Sequence, residues 1–421
     1  MVSALLTIGL SGNAEAFHSG GVARCSGCHT MHNSLGGARM AGDTTTLGTS
    51  FSYLLIRQDA SSTCLACHSA GTSTTPSSFR VHSAYAAGTG PSQMTPGGDY
   101  GWITKDFTWT PRPGATGTSR GERRGHNIIA ADLNLTSDAI HSAAPGGTYS
   151  SSRLTCISCH DPHGRYRRDS TGAISNTGLP IKASGSYDTS PDPTTTEAVG
   201  VYRLLGGTGY VPESLSGIAT AFVNTVPAAV APSTYNRSEV STQTRVAYGK
   251  NMSEWCANCH TQMHNDSYPG NLRHPAGNLA RLTPTVINNY NAYVKSGDLT
   301  GIPTSSFTSL VPFEEGTDDY TALKGLAKND NTQLGGPGTS ASVSCLTCHR
   351  AHASGWDSML RWNARSDFVV YNSKYSQEGE ANQPYGQGRT EAEAKRAYYE
   401  RPVTTFATYQ RSLCNKCHVK D

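Results

Sequence analysis

All twelve cysteines of the 421-residue chain fall into six copies of one five-residue pattern. The first copy is Cys25-Ser-Gly-Cys28-His29. The next three place Cys64, Cys67 and His68, then Cys156, Cys159 and His160, then Cys256, Cys259 and His260 at the same spacing. Cys345, Cys348 and His349 form the fifth copy, and Cys414, Cys417 and His418 the sixth. Cys-x-x-Cys-His is the attachment pattern of c-type haem. Two thioether bonds grip the porphyrin edge, and the adjacent histidine is placed under the iron as an axial ligand. Two intervening residues let both sulfurs reach one face of the ring. A single Cys-x-x-Cys also serves zinc ribbons and thioredoxin-like redox sites. Six copies, each followed by histidine and together using every cysteine, exclude those readings. The pattern implies six covalently attached c-haems.

The remaining histidines separate electron transfer from catalysis. An iron with two protein ligands passes electrons but has no open position for a substrate. Beyond the proximal six there are His18, His32, His82, His126, His141, His163, His264, His274 and His352, enough to give every iron a second imidazole. Methionine is the competing ligand, but Met31 and Met263 each stand beside a histidine that is the better candidate. His32, His163 and His352 lie three residues past a proximal histidine, and His264 lies four past His260. Offsets of three and four share one face of a short helix. The thioethers hold the proximal histidine beneath its own ring, so a residue one turn on must reach a different haem. Each such pair ties two haems together through a single turn of backbone.

The elements that must position these residues are sparse. Only 15% of residues are charged, against about 25% in an ordinary soluble domain. Glycine and proline number 44 and 21, and the apolar fraction is 36%. Porphyrins would supply the missing apolar core. The expected fold is therefore mostly irregular coil with short helices and few strands, wrapped around a linear row of six c-haems as one unit over residues 17–421. Intervals between motifs run from 39 to 100 residues, so no repeat of fixed period is visible. Loop-like runs occupy 69–78, 110–121, 183–196 and 333–342. One helix is predicted over 284–296, capped by Thr283, opened by Pro284, ended by Gly297, with Val286, Ile287, Tyr290, Tyr293 and Val294 on one face. Others are predicted from Glu391 to Tyr399 behind Thr390, and from Thr405 to Leu413. Strands are expected at 199–205, 244–248 and 367–372.

At the N-terminus an apolar run, Val2 to Leu10, precedes the small-x-small sequence Ala14-Glu15-Ala16. Residues 1–16 read as a cleaved leader lacking its basic segment, with Phe17 first in the mature chain. The run is too short to span a bilayer, and no later stretch resembles a transmembrane helix. Export agrees with c-haem attachment, which takes place outside the bacterial cytoplasm. The formal charge of +3 is outweighed by six pairs of haem propionates, about −12 before pairing. Nucleic-acid binding is not suggested.

Longer stretches carry a family resemblance. They are Phe17-His-Ser-Gly-Gly-Val-Ala23, Cys28-His-Thr-Met-His-Asn-Ser-Leu-Gly-Gly37, Cys159-His-Asp-Pro-His-Gly164, Trp255-Cys-Ala-Asn-Cys-His-Thr261 and Cys348-His-Arg-Ala-His-Ala-Ser-Gly355. Ala231-Pro-Ser-Thr-Tyr-Asn-Arg237, Phe313-Glu-Glu-Gly316 and Cys414-Asn-Lys-Cys-His418 belong with them. Together they resemble the filament-forming outer-surface hexahaem cytochromes of metal-reducing bacteria, over essentially the whole mature chain. The resemblance implies secretion to the cell surface and polymerisation with neighbouring copies into filaments that carry electrons away from the cell. It also implies bis-histidine haems in alternating stacked and T-shaped pairs, with other cytochromes or extracellular metal oxides as electron partners. By the same resemblance, His32 ligates the fifth haem of the next subunit. Departures from the family concentrate at 41–75, 110–145 and 370–392; His141 lies in one of these loops and is not taken as a ligand.

If offset-three histidines reach a haem two places earlier in the row, His163 serves the first haem and His352 the third. The second, fourth and sixth then need His18, His126 and His274, with His82 and His264 in reserve. Two other classes compete. A multihaem reductase needs one iron with an open site. A monomeric shuttle has the same motifs without an intermolecular ligand.

Overall fold

The computed structural model describes residues 25–30, 34–35, 38–39, 54–71, 77–212, 221–263, 275–377 and 384–419. Most of this is coil and tight turn, and short helices mark the second, fourth, fifth and sixth motifs. Helix α1 (Ala60–His68) carries the second motif, and α2 (Met252–Cys256) leads into the fourth. Further on come α3 (Pro284–Ala292) and α4 (Tyr320–Leu326). The fifth motif is α5 (Cys345–Cys348), followed by α6 (Glu391–Ala397); α7 (Asn415–His418) completes the sixth. The first and third motifs open on 3-10 turns, Cys25–Gly27 and Cys156–Ser158.

The strands form small antiparallel patches. β1 (Ser34–Leu35) pairs with β2 (Ala38–Arg39), and β3 (Phe107–Trp109) with β4 (Gly117–Ser119). β5 (Arg167–Arg168) lies between β6 (Ile174–Ser175) and β7 (Val199–Gly200). β8 (Ala229–Val230) pairs with β9 (Ala247–Tyr248). β10 (Phe368–Tyr371) lies between β11 (Lys374–Tyr375) and β12 (Gln410–Arg411).

Local signals fixed where helices start better than where they stop. Thr283 Oγ1 accepts from the Val286 N–H at 3.3 Å, and Ile287 and Tyr290 are buried beneath α3 as the periodicity requires. α3 ends at Ala292, however, short of the expected 296. Tyr293 turns extended, Val294 N–H donates to the Asp298 carbonyl at 2.9 Å, and Gly297 (φ 73°) closes that reversal. α6 carries a full capping box between Thr390 and Glu393, then stops two residues early, where Tyr399 and Glu400 take positive φ. The helix expected over 405–413 does not form. Gln410 is fully buried there, bonded to the Ser296 and Tyr293 hydroxyls, and its backbone joins β10. Long-range anchoring outweighs a weak helical pattern. The expected strands shrink to β7, β9 and β10, and the segment after β7 becomes a left-handed turn at Arg203 and Leu204.

Apolar clusters sit behind the motifs. The largest joins Trp102 and Phe107 to Tyr290, Trp356 and Tyr398, with Cys348 and Cys417 packed against it. Cys259 borders a second cluster around Tyr210 and Tyr248, and Cys156 borders a third around Leu65 and Ile128. Two fully buried arginines, Arg124 and Arg389, cover the Phe107 ring with guanidinium carbons 4.6 and 4.3 Å from its centre. Both bond the Ser119 hydroxyl, which donates to Asp357. This network ties the β3–β4 hairpin to the segment that follows the fifth motif.

Candidate haem centres

Each motif closes on itself in one helical turn. The histidine N–H donates to the first cysteine's carbonyl at 2.8 Å (His29), 3.1 Å (His160), 3.1 Å (His260), 2.9 Å (His349) and 3.1 Å (His418). All twelve cysteines are free of disulfides. Among the described residues, no cluster of three or more His, Cys, Asp or Glu side chains is grouped to cage a metal ion.

The proximal imidazoles are oriented from behind. Nδ1 faces the carbonyl of Phe79 for His68 (2.6 Å), Arg203 for His160 (2.6 Å), Pro145 for His260 (2.8 Å) and Ser358 for His349 (2.7 Å). A carbonyl oxygen can only accept, so Nδ1 carries the proton and Nε2 keeps its lone pair for an iron. Such backing of a ligand ring also raises its basicity.

Among the described residues, three proximal rings face a second imidazole. His29 and His163 have ring centres 6.3 Å apart and planes within 7°. His160 and His352 lie 6.3 Å apart at 61°, and His126 and His260 lie 6.1 Å apart at 40°. A metal–imidazole bond is about 2 Å, with the ring centre roughly 1 Å behind its nitrogen, so two rings sharing one ion are about 6 Å apart. The residues therefore fit a bis-imidazole iron at the first, third and fourth motifs. Burial pushes His126 down to about 4, with His260 adding to it, and His352 down to about 3, with His160 adding to it. Burial also lowers His160 and His349. Rings held neutral in this way are ready to ligate.

His352 and His126 belong to one backbone hub. The His126 N–H donates to the His352 carbonyl at 2.9 Å, and His126 Nδ1 faces the Ala351 carbonyl at 2.7 Å. His352 N–H in turn donates to the Gly97 carbonyl at 2.7 Å. An isolated antiparallel bridge, Gly125 to Ala353, thus links rings that face the third and fourth motifs, three residues from the fifth motif's own histidine. Gly98 is essential to this contact. Its φ is +93°, and a Cβ there would stand 1.6 Å from the Ala353 carbonyl oxygen. Gly98→Ala is expected to cost roughly 3 kcal/mol in thermal or denaturant unfolding. It should also broaden the low-spin signals of the third and fourth centres.

Successive motifs meet through their cysteines. Cys28 lies within electrostatic reach of Cys67, and Cys159 of Cys259. Cys348 is similarly close to Cys414 and Cys417. At the other two joints the thiols interact more strongly, Cys64 with Cys156 and Cys256 with Cys345, and the later thiol of each pair raises the pKa of the earlier. Those two joints are built alike. Ser61, on α1, accepts from the Cys156 N–H, and Ser253, on α2, accepts from the Cys345 N–H, both at 3.1 Å. Both serines stand three residues before the preceding motif's first cysteine. Two kinds of joint alternate along the chain.

His18, His32, His264 and His274 lie outside the described residues. His82 is buried with Nδ1 2.8 Å from the Ser69 hydroxyl, and His141 is exposed with Nδ1 3.3 Å from Asp138. The helical-face reasoning for the offset-three histidines needs correction. His349 leaves its turn in extended conformation (φ −106°, ψ 158°), and His160 forms an isolated antiparallel bridge with distant Leu205. His163 and His352 therefore project away because the chain straightens at the proximal histidine, and no helical turn joins the two. The backing carbonyls were missed altogether, since a backbone oxygen leaves no mark on a sequence.

No family model matches the chain. It is 58% identical over 416 residues to the C-type cytochrome OmcS of Geobacter sulfurreducens, covering 97% of this chain and 95% of that protein. Two cryo-EM structures, one of the OmcS nanowires and one of the outer membrane cytochrome S filament of the same organism, share 57% identity with it. Each superposes with a TM-score of 0.88, over 96% of this chain and 100% of the other. With six attachment motifs in unbroken succession and this likeness over nearly its whole length, the chain belongs to the OmcS family of multihaem c-type cytochromes.

Proposed function

We propose that this protein carries electrons outside the cell through six covalent c-haems, as a filament of copies joined head to tail. One observation carries the reading: the motifs come within electrostatic reach of one another in chain order, from the first to the sixth, with direct serine-to-backbone hydrogen bonds at the second-to-third and fourth-to-fifth joints. Haem c supplies a one-electron iron couple, and this chain's residues hold, orient and insulate it. His29 with His163, His160 with His352, and His260 with His126 are the proposed axial pairs of the first, third and fourth centres. The second and sixth, on His68 and His418, draw on His18 and His274. The fifth, on His349, takes His32 of a neighbouring copy. With both axial positions filled there is none for a substrate, so the protein is an electron carrier and not an enzyme. Residues 1–16 serve export, and 17–421 form one haem-wrapped unit whose electron partners at the outer surface are other cytochromes or metal oxides. No helix among the described residues is long and apolar enough to cross a membrane.

Electron paramagnetic resonance of the purified protein should reveal only low-spin ferric haem, and carbon monoxide should bind none of it without denaturation. One full haem equivalent that is high-spin or binds carbon monoxide would favour the reductase. Monodisperse monomers by sizing and electron microscopy would favour the shuttle.

A further inference from the structure

The first, third and fifth motifs are gripped by the same backbone device, although the loops that deliver it differ greatly in length. At the fifth, Arg350 N–H donates to the Met359 carbonyl and Arg361 N–H to the Cys348 carbonyl, both at 2.8 Å, so that His349 pairs antiparallel with Leu360. At the third, Asp161 N–H to Leu204 (2.7 Å) and Gly206 N–H to Cys159 (3.0 Å) pair His160 with Leu205. At the first, Thr30 N–H to Leu54 (2.8 Å) and Ile56 N–H to Cys28 (2.9 Å) pair His29 with Leu55.

Each of these leucines is preceded by left-handed backbone: Leu54 (φ 52°), Arg203 and Leu204 (52° and 54°), Ser358 and Met359 (58° and 56°). Tyr53, which corresponds to Arg203 and Ser358, lies outside the described residues. None is glycine, and each is in a region that L-residues disfavour. Strain repeated at one register in three different loops marks a functional constraint. In an extended strand, successive carbonyls point to opposite sides. The left-handed pair turns two in a row toward the motif. The first, from Arg203 or Ser358, receives the proximal Nδ1–H, and the second receives the next residue's N–H. The second and fourth motifs orient their histidines without this pairing, through Phe79 and Pro145. The gripped motifs are also the three followed by an offset-three histidine. There the chain must leave the proximal histidine straight and deliver a ring to another centre.

We propose that this left-handed pair is a positioning device for electron transfer, with Arg203 and Ser358 as positioning residues acting through His160 and His349. It fixes the rotation and tautomer of the proximal ring and the departure of the chain toward the next ligand. The proposal rests on the axial assignments above.

Ser358 is exposed, so its replacement tests conformation more than packing. Ser358→Val should keep six covalent haems while disfavouring the left-handed turn. With the Nδ1–H bond weakened, the imidazole donates less and the ferric state is less stabilised. One sixth of the reduction amplitude should then move to higher potential, and the Arg350 and Arg361 amides should lose hydrogen-exchange protection. Ser358→Gly should leave both unchanged. An unaltered potential and protection in Ser358→Val overturns the proposal, as does an equal shift in Ser358→Gly. If Ser358→Val fails to accumulate, Ser358→Ala should give a smaller shift in the same direction, and no shift there counts equally against it. High-spin or carbon-monoxide-binding haem in the unsubstituted protein would instead sink the axial assignments.

Discussion

Replacing His32 with alanine is expected to leave six covalent haems on every chain and to abolish long filaments. Covalent attachment needs only the Cys-x-x-Cys-His motifs, so haem content should not change. His163 and His352 each face the proximal ring two motifs earlier in the chain. The same step from His32 leads off the beginning of its own chain. At the other end, no imidazole faces His349 among the described residues. A neighbouring copy's His32 would supply that missing ring, so that docking and ligation become one event. Such a contact must be head to tail, since a two-fold interface closes after two subunits while a heterologous one continues. The variant should appear as monomers or short oligomers in negative stain, with one haem in six high-spin or water-ligated. Full-length filaments with an unchanged low-spin spectrum would rule out His32 as the intermolecular ligand.

The second large effect belongs to His352. Its ring faces His160, its backbone carries His126, and it sits three residues from His349. His352→Ala removes the ring and keeps the backbone hub, since the bonds to Gly97 and His126 use main-chain atoms. The expected result is a folded protein with one haem equivalent newly able to bind carbon monoxide. Conduction along the filament should fall steeply, because the third centre lies mid-row and a linear row offers no way around it. His141→Ala is the control: its exposed ring bonds Asp138, and the spectrum should not move. A variant His352→Ala with all six haems low-spin would mean that another residue completes the third centre.

Cofactor number and attachment chemistry were legible in the sequence, because thioether attachment is local: two cysteines and a histidine within one helical turn contain all of it. So was the surplus of histidines that marks an electron carrier, because counting ligands requires no geometry. Helix starts at Thr283 and Thr390 could be read for the same reason, each cap being settled within four residues. The tertiary structure alone decided that His126 meets His260. His126 comes to His260 across the chain through the backbone bonds that join its segment to that of His352, and no side-chain pattern encodes that contact. It also decided the carbonyls behind the proximal rings, 43 residues away for His160 and 115 for His260. Every residue has a carbonyl, so its selection is invisible until the chain is folded. The alternating joints and the left-handed grip on the odd-numbered motifs were hidden in the same way. They repeat in hydrogen bonds and torsion angles, while the loops that carry them share neither length nor period.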